Sequence, residues 1–427
     1  MLTDKLTFID LFAGCGGMSL GLEQADFQPV FVNELNPDAL ETWMRNRREI
    51  APWIEEYGLS VNDVRKLTKH SKALHDLQAK LDTELGIKAG EIDLLVGGPP
   101  CQGFSGIGHR RSYSVAKEDL PANRLFEDMA TAIQGLQPKA FVFENVRGLL
   151  NGRWTPSGRP GQIWEDVYQT FKSLGTYQIA AQLIYAKDYG VPQNRPRLIL
   201  VGLRRDISNL PGSESELSND AVDRGFLPSS IKAEPPHLGE LLGDLVDPDY
   251  QNGGATEAYP NAATGIQRRF RTPRDGGPVS RKGSAVEEHQ YSNHSAKVVE
   301  KFEAMLAGDG RVPARFATKK FAQRVLPENW DEGVGPTITA TSLPDDYVHF
   351  SQPRTLTVRE WARLQGFPDW YQFSGKRTTG GLRRAGNPRL GVFDRELPKY
   401  TQIGNAVPVQ LAYQIGVHLR DILHGKR

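Results

Sequence analysis

Leu94-Leu95-Val96-Gly97-Gly98-Pro99-Pro100-Cys101-Gln102-Gly103-Phe104-Ser105 is the stretch from which the fold is read. The apolar run at 94–96 has the length and composition of a buried strand. It stops at two glycines and two prolines. Glycine admits backbone that other residues avoid, and proline fixes φ and lacks the N–H that would extend a ladder. Cys101 is thereby placed on a stiff turn just past the carboxyl end of a strand, where open α/β sheets assemble their ligand sites. Taken alone, the turn is as compatible with a small buried thiol as with a nucleophile, since most free cysteines are packing residues.

The 427-residue chain is long enough for two domains and a sizeable core. Its hydrophobic fraction of 39% and charged fraction of 24% are ordinary for a soluble globular protein. No apolar run approaches the ~20 residues that span a bilayer. The first residues lack a basic segment followed by an apolar core, so no secretory signal is expected. Cys15 and Cys101 are the only thiols. They exclude a disulfide framework and a multi-cysteine zinc site, and they fit a reducing cytoplasm and a chain without metal. The formal net charge of +1 does not announce a polyanionic partner. Residues 265–325, however, carry 13 Lys or Arg against 6 Asp or Glu. That excess reads as a solvated basic face or as a phosphate-binding surface.

Working outward, Phe8-Ile9-Asp10-Leu11-Phe12 reads as a strand, Ala13-Gly14-Cys15-Gly16-Gly17 as a turn, and Met18, Leu20 and Leu22 as the start of a helix. Strand, glycine turn and helix is the grammar of a nucleotide site, although the full G-x-G-x-x-G spacing is absent. A second strand, 27–32, ends at Asn33-Glu34. An acidic residue about 20 positions after such a turn suits a ribose hydroxyl pair, and a helix cap is the plainer alternative. A helix is expected over 37–48 and a surface helix within 66–90. Residues 106–114 are basic and hydroxyl-rich and read as a loop. A helix from Leu125 leads to a strand at 140–143 that ends in Glu144-Asn145-Val146. A helix near 163–174, a strand over 177–185 and a strand over 198–202 follow. Arg195 and Arg197, at alternate positions entering that last strand, point to one side.

Residues 206–352 lose helical periodicity and read as a second, loop-rich region. Order returns at Thr355. Residues 375–399 form a basic, glycine-rich insert carrying Arg377, Arg383, Arg384 and Arg389. Gly404-Asn405-Ala406-Val407 then opens a helix with Leu411, Ile415, Leu419 and Leu423 on one face. The expected division is a catalytic and cofactor-binding domain over 1–205, completed by 401–427, and a second domain over 206–400.

These motifs, in this order, resemble the cytosine-5 DNA methyltransferases of bacterial restriction-modification systems. They are Asp10 to Gly17, Glu34, Asp63, Gly97 to Ser105, Glu144-Asn145-Val146, Gln193 to Arg197, Arg359-Glu360 with Leu364-Gln365-Gly366-Phe367, and Gly404 to Val407. The resemblance implies a doubly wound, mixed-sheet α/β domain of the Rossmann-like methyltransferase type, a smaller target-recognition domain, and a DNA cleft between them. It implies Cys101 as the nucleophile that adds to carbon 6 of cytosine, making carbon 5 reactive. Glu144 would pair, protonated, with ring nitrogen 3, and Arg195 and Arg197 would help hold the base and Glu144.

The cofactor implied is S-adenosyl-L-methionine, with S-adenosyl-L-homocysteine as product and no metal. Phe12 would lie against its sulfonium, Glu34 would take the ribose and Asp63 the adenine amino group. Ala13, Gly14, Gly16, Gly17, Val64, Pro100, Leu125, Asn405 and Val407 would complete that side. The partner implied is double-stranded DNA with a flipped-out target base, bound by a monomer, with a cognate restriction endonuclease acting separately. Residues 105–114 would close over DNA, with Ser105, Ile107, His109 and Arg110 in contact and Ile107 or His109 filling the vacated stack. Arg268, Arg269, Arg271, Arg383 and Arg384 are expected to contact DNA, Arg383 and Arg384 at its phosphates, and candidates for reading the target lie among Arg268 to Arg281 and Thr337 to Asp346. Two departures stand out: Asn62 precedes Asp63 where glycine is usual, and the 375–399 insert is long.

Three rival readings fit less well. The tRNA-specific branch of the family carries a Cys-Phe-Thr tripeptide, and this chain has no third cysteine. An inactive DNA-binding homologue would be expected to lose Cys101 or Glu144. A zinc deaminase needs P-C-x-x-C, and position 104 is Phe. No stretch spells out the DNA target.

Overall fold

Strands β1 (Leu6–Leu11), β2 (Phe27–Asn33), β3 (Ser60–Val61), β4 (Leu94–Gly97), β5 (Ala140–Val146), β6 (Tyr177–Tyr185) and β7 (Pro196–Arg204) form one sheet in the order β3-β2-β1-β4-β5-β7-β6. The chain is seen here as a computed structural model, which describes residues 4–100, 121–155, 157–208, 210–212, 219–231, 234–317, 323–329, 336–338, 346–378 and 396–425. Cys101, Ser105, Ile107, His109, Arg110, Arg383 and Arg384 lie outside the described residues. β1 to β5 run parallel, and β7 runs antiparallel to both β5 and β6. The mixed, doubly wound sheet of the sequence reading is therefore what the chain forms.

Strand order reverses between β1 and β4, the place where such sheets open a crevice at their carboxyl edge. Register aligns that edge: Leu11 lies opposite Gly97 and Asn33, and Gly97 lies opposite Phe143. The glycine turn, Glu34, the Pro-Pro turn and Glu144 consequently emerge together.

Both faces of the sheet are covered, so its parallel strands are largely buried and mostly apolar. Helices α2 (Pro37–Arg45), α3 (Ser71–Leu85), α4 (Leu125–Leu136) and α5 (Gln162–Lys172) cover one face, burying Trp43, Leu81, Ile133 and Phe171. Helix α1 (Gly17–Gln24) and the C-terminal α9 (Val409–Leu423) cover the other. These two touch through glycine: a Cβ at Gly21 would lie 2.5 Å from the Ala412 Cβ, and one at Gly416 would lie 2.8 Å from the Ala25 Cβ. Packing of the sheet continues past residue 205, since Ala221, Phe226 and Leu227 share the α9 cluster.

Beyond it lie α6 (Ala296–Ala307), α7 (Val358–Leu364) and α8 (Lys399–Asn405). Helix α6 falls in the stretch read as lacking periodicity. It buries only Phe302 and Met305, too narrow a stripe to stand out among loops. A third core joins this region to α1, with Trp361, Phe367, Tyr371 and Tyr400 packed against Cys15 and Leu20. Its polar interior is charged: Arg363 bridges Asp244 and Asp369, and Arg354 pairs with Glu360 at 2.7 Å. Burying such charges is offset only by close pairing and hydrogen bonding.

Asp10, on β1 and 2% exposed, accepts a hydrogen bond from Ser19 Oγ, which accepts from Trp43 Nε1 at 2.8 Å. Burial pushes its carboxyl up to about 7, against the Ser19 hydrogen bond and the charge of Arg47. An unfolded aspartate titrates near ~4. The folded chain therefore holds a proton between about pH 4 and 7 that the unfolded chain releases. The associated stability is fully present below the unfolded value and is lost as pH rises through about 7. Asp10→Asn cannot ionise. Going from about pH 5 to 8, it should gain on the order of 1–3 kcal/mol over the wild type at about 1.4 kcal/mol per unit. Urea unfolding at both pH values checks this, and identical pH dependence of the two proteins would refute it.

Candidate active site

The turn after β1 begins with Phe12 in the left-handed region, φ 58°, uncommon for a non-glycine residue and a mark of a constrained site. Its N–H donates to Asn33 Oδ1 at 3.1 Å. The Asn33 Nδ2 donates to the carbonyls of Val61 and Asn62 at 2.9 and 2.8 Å. One buried amide thus ties together the ends of β1, β2 and β3.

Gly14 follows with φ 55°, and a Cβ there would meet nothing within 4 Å, so the turn opens toward empty space at this point. The Gly14 N–H donates to Glu34 Oε2 at 2.8 Å and the Asn36 N–H donates to Oε1 at 2.7 Å. Burial raises the Glu34 carboxyl, while these backbone amides act against that rise. The next residue, Leu35, is a large apolar side chain left 67% exposed.

Gly16 and Gly17 have a different reason to be glycine. A Cβ at Gly16 would lie 2.8 Å from both Arg47 Nη1 and the Tyr371 hydroxyl, and one at Gly17 would collide with the Val407 carbonyl. Asp63 is held by Arg65 through an ion pair at 2.7 Å, which lowers its pKa. Val64 is buried beside it, and Leu125 packs on the same core at the start of α4. Ala13 is partly buried and donates its N–H to the Asn33 carbonyl at 2.9 Å. Pro100 and Asn405 are exposed, whereas Val407 is buried.

Glu144 lies near the end of β5 against the turn that leads to Cys101. A Cβ at Gly98 would lie 2.8 Å from Glu144 Oε2, and Asn145 Nδ2 donates to the Pro99 carbonyl at 3.2 Å. The glycine and the asparagine thus bring the Pro-Pro turn against the carboxylate. Arg197 Nε lies 2.5 Å from Glu144 Oε1. Burial raises the Glu144 carboxyl, with Arg197 first and Arg195 second pulling it back. Gly98→Ala should displace the carboxylate or the turn. Overpacking of this kind costs about 1–3 kcal/mol. Methyl incorporation at constant folded protein should fall by more than about tenfold, since a 1 Å misplacement costs up to ~100-fold.

The two arginines divide their tasks. Arg195 donates from Nη2 to the carbonyls of Gly404 and Ala406 at 2.5 and 3.2 Å rather than to Glu144. The Ala406 carbonyl also accepts from Gln365 Nε2 at 3.1 Å, and Gln193 Nε2 donates to Gln365 Oε1 at 2.7 Å. Three motifs far apart in the chain close into one buried network. Gln193, Gln365 and Asn33 carry no signal of their own in the sequence beyond lying within or beside the motifs.

Of the expected DNA contacts, Arg268 and Arg269 are exposed, and Arg269 donates to Gln410. Arg271 corrects the expectation. It is 2% exposed, lies 2.6 Å from Asp244 Oδ2 and stacks 3.6 Å over the Tyr259 ring. Its charge is spent inside the second region, out of reach of a phosphate.

The edge assembled here can hold a ligand with hydroxyl groups at Glu34 and a polar ring at Glu144. A family model of C-5 cytosine-specific DNA methylases matches residues 6–420. The chain belongs to this family. It is a DNA cytosine-5 methyltransferase. The methyltransferase is 30% identical over 420 residues to the type II methyltransferase M.DdeI of Desulfomicrobium norvegicum, covering 95% of this chain and 86% of the relative. It is equally identical over 420 residues to M.XorII of Xanthomonas oryzae pv. oryzae, covering 98% and 85%. In fold it is similar to a DNA modification methyltransferase encoded within an E. coli prophage, with a TM-score of 0.64 at 23% identity over 98% of this chain and 99% of that one. The S. pombe Dnmt2 methyltransferase shares the fold at a TM-score of 0.52 and 15% identity, covering 97% and 99%. Among the described residues, no group of three or more His, Cys, Asp or Glu is placed to hold a metal ion, and no helix is long and apolar enough to cross a membrane.

Proposed function

We propose that this methyltransferase transfers the methyl group of S-adenosyl-L-methionine to carbon 5 of a cytosine flipped out of duplex DNA, through a covalent Cys101 adduct. We propose further that it is the modification enzyme of a type II restriction-modification system. In this reading it works as a cytoplasmic monomer on genomic DNA, with residues 206–400 reading the target and a restriction endonuclease acting separately. The observation that carries the reading is the buried Glu144–Arg197 pair packed against the turn that delivers Cys101.

The residues fit the cofactor. Gly14 faces open space, Glu34 offers a carboxylate already oriented by two amides, and Phe12 and Leu35 are apolar residues adjoining the turn and the carboxylate in the chain. Phe12, Ala13, Gly14, Glu34, Leu125 and Asn405 would hold it, with Asp63 at the adenine end. Bound S-adenosylmethionine supplies an electrophilic methyl group and leaves as S-adenosylhomocysteine.

The chain's own residues do the rest. A free thiol titrates near ~8.5, so Cys101 must lose its proton to act. Its thiolate bonds to carbon 6 of the cytosine, and the electron pair of the 5,6 double bond becomes available at carbon 5. Protonated Glu144 donates at ring nitrogen 3 and neutralises charge developing there, and Arg197 fixes the carboxyl's orientation. Once carbon 5 is methylated, its proton leaves to a base and the ring expels Cys101 as thiolate, restoring the double bond.

Bisulfite sequencing of plasmid from cells expressing the protein gives both the activity and the target site. Protection at cytosines within one recurrent sequence is expected. Labelled methyl incorporated into tRNA and not into duplex DNA would overturn the choice of substrate.

A further inference from the structure

The glycine turn is gripped from two sides. Glu34 holds the Gly14 amide from within the sheet. From outside it, the Tyr371 hydroxyl donates to the Cys15 carbonyl at 2.6 Å and accepts from Arg47 Nη1 at 3.0 Å. Arg47 Nη2 donates to the Gly16 carbonyl at 3.2 Å. Both side chains are fully buried. Arg47 is anchored by Glu23, which also takes Arg274 at 2.9 Å, and by stacking 4.4 Å over the Trp43 ring. The backbone of the segment that carries Tyr371 is laced to side chains in and just after α2: the Asn46 side chain exchanges two hydrogen bonds with the Gln372 backbone at 3.0 and 2.8 Å, and the Ser374 N–H donates to Thr42 Oγ1 at 2.9 Å. Successive peptide groups of the turn therefore take their orientation from opposite sides, Gly14 from the sheet and Cys15 and Gly16 from the segment around Tyr371.

We propose that Tyr371, acting with Arg47, is a positioning residue for the cofactor, setting from outside the sheet the peptide planes of the turn that receives it. This rests on the reading of the turn as the S-adenosylmethionine site. A carbonyl that loses a 2.6 Å donor is free to rotate its peptide plane, and the neighbouring Gly16, at φ 85°, offers little resistance.

The test is Tyr371→Phe, which keeps the ring in place between Phe367 and Phe373 and removes only the hydroxyl. Calorimetry with S-adenosylhomocysteine should show binding weakened about five- to tenfold, in line with loss of the one buried hydrogen bond that the hydroxyl gives the turn. KM for S-adenosylmethionine should rise by the same factor, with kcat at saturation and affinity for duplex DNA unchanged. A folded variant with unaltered S-adenosylhomocysteine affinity, whatever its melting temperature, overturns the proposal. Should the Phe variant fail to fold, Arg47→Lys tests the same point. It keeps the charge beside Glu23 and loses the planar fork that reaches Gly16 and Tyr371, and an unaltered affinity again refutes. Failure of the wild type to bind S-adenosylhomocysteine would instead sink the proposed function.

Discussion

Cys101→Ser is expected to reduce methyl transfer by at least about a thousandfold, ~4 kcal/mol at 1.36 kcal/mol per decade. A free thiol is a few per cent ionised at neutral pH and strongly nucleophilic even so. Serine has no comparable anion, so the addition to carbon 6 is lost while binding of DNA and cofactor remains. Single-turnover incorporation of labelled methyl into target duplex measures the loss. Duplex carrying 5-fluorocytosine at the target should trap wild-type protein as an adduct that survives denaturant, because fluorine cannot leave carbon 5 as the proton does. A serine variant that methylates at the wild-type rate, or a wild type that forms no adduct, would end the covalent reading.

Glu144→Gln is expected to lower kcat by about 10²–10³, within the range for loss of a positioned proton donor. The amide still donates a hydrogen bond to ring nitrogen 3, so affinity for the base should change less than kcat. It cannot give up a proton as charge develops. A second effect competes. Arg197, 2.5 Å from the carboxylate, would keep a hydrogen-bond acceptor and lose its counter-charge. Breaking a buried pair costs about 3–5 kcal/mol, and retention of an acceptor puts this variant below that range. Thermal unfolding separates the two: rate per folded molecule reports the chemistry, and the melting temperature reports the orphaned charge. The pH profile gives a further check. Burial raises the Glu144 carboxyl, and in the proposed mechanism the protonated form acts, so kcat should fall as pH rises through that raised value. The glutamine variant should lack this falling limb.

Much of this was legible in the chain. The strand at 177–185 and the helices near 37–48 and 163–174 follow from alternation and from 3.6-residue periodicity, which a few neighbouring residues suffice to express. Phe12, Glu34 and Glu144 were placed at strand ends by short signals, and strand ends in a parallel sheet share an edge. Helix α6 leaves little signal in the chain because it leans on the protein with only two side chains. Arg271 reads like its exposed neighbours because a run of arginines looks the same whether it faces water or Asp244.

The order of chemistry along the strands is written locally in the chain: a glycine turn, an acidic strand end, a Pro-Pro-Cys turn and a second carboxylate, each coded within about ten residues. Which partners those groups meet depends on how distant segments pack. Arg197 takes Glu144 while Arg195, two residues away, takes the carbonyls of Gly404 and Ala406. Gly16 is glycine because Arg47 and Tyr371 fill the space above it, and Gly14 faces open space. The physical reason is range. Backbone preference and apolar period are local, whereas a buried charge or a close approach is settled by whichever distant side chain the packing brings within about 3 Å.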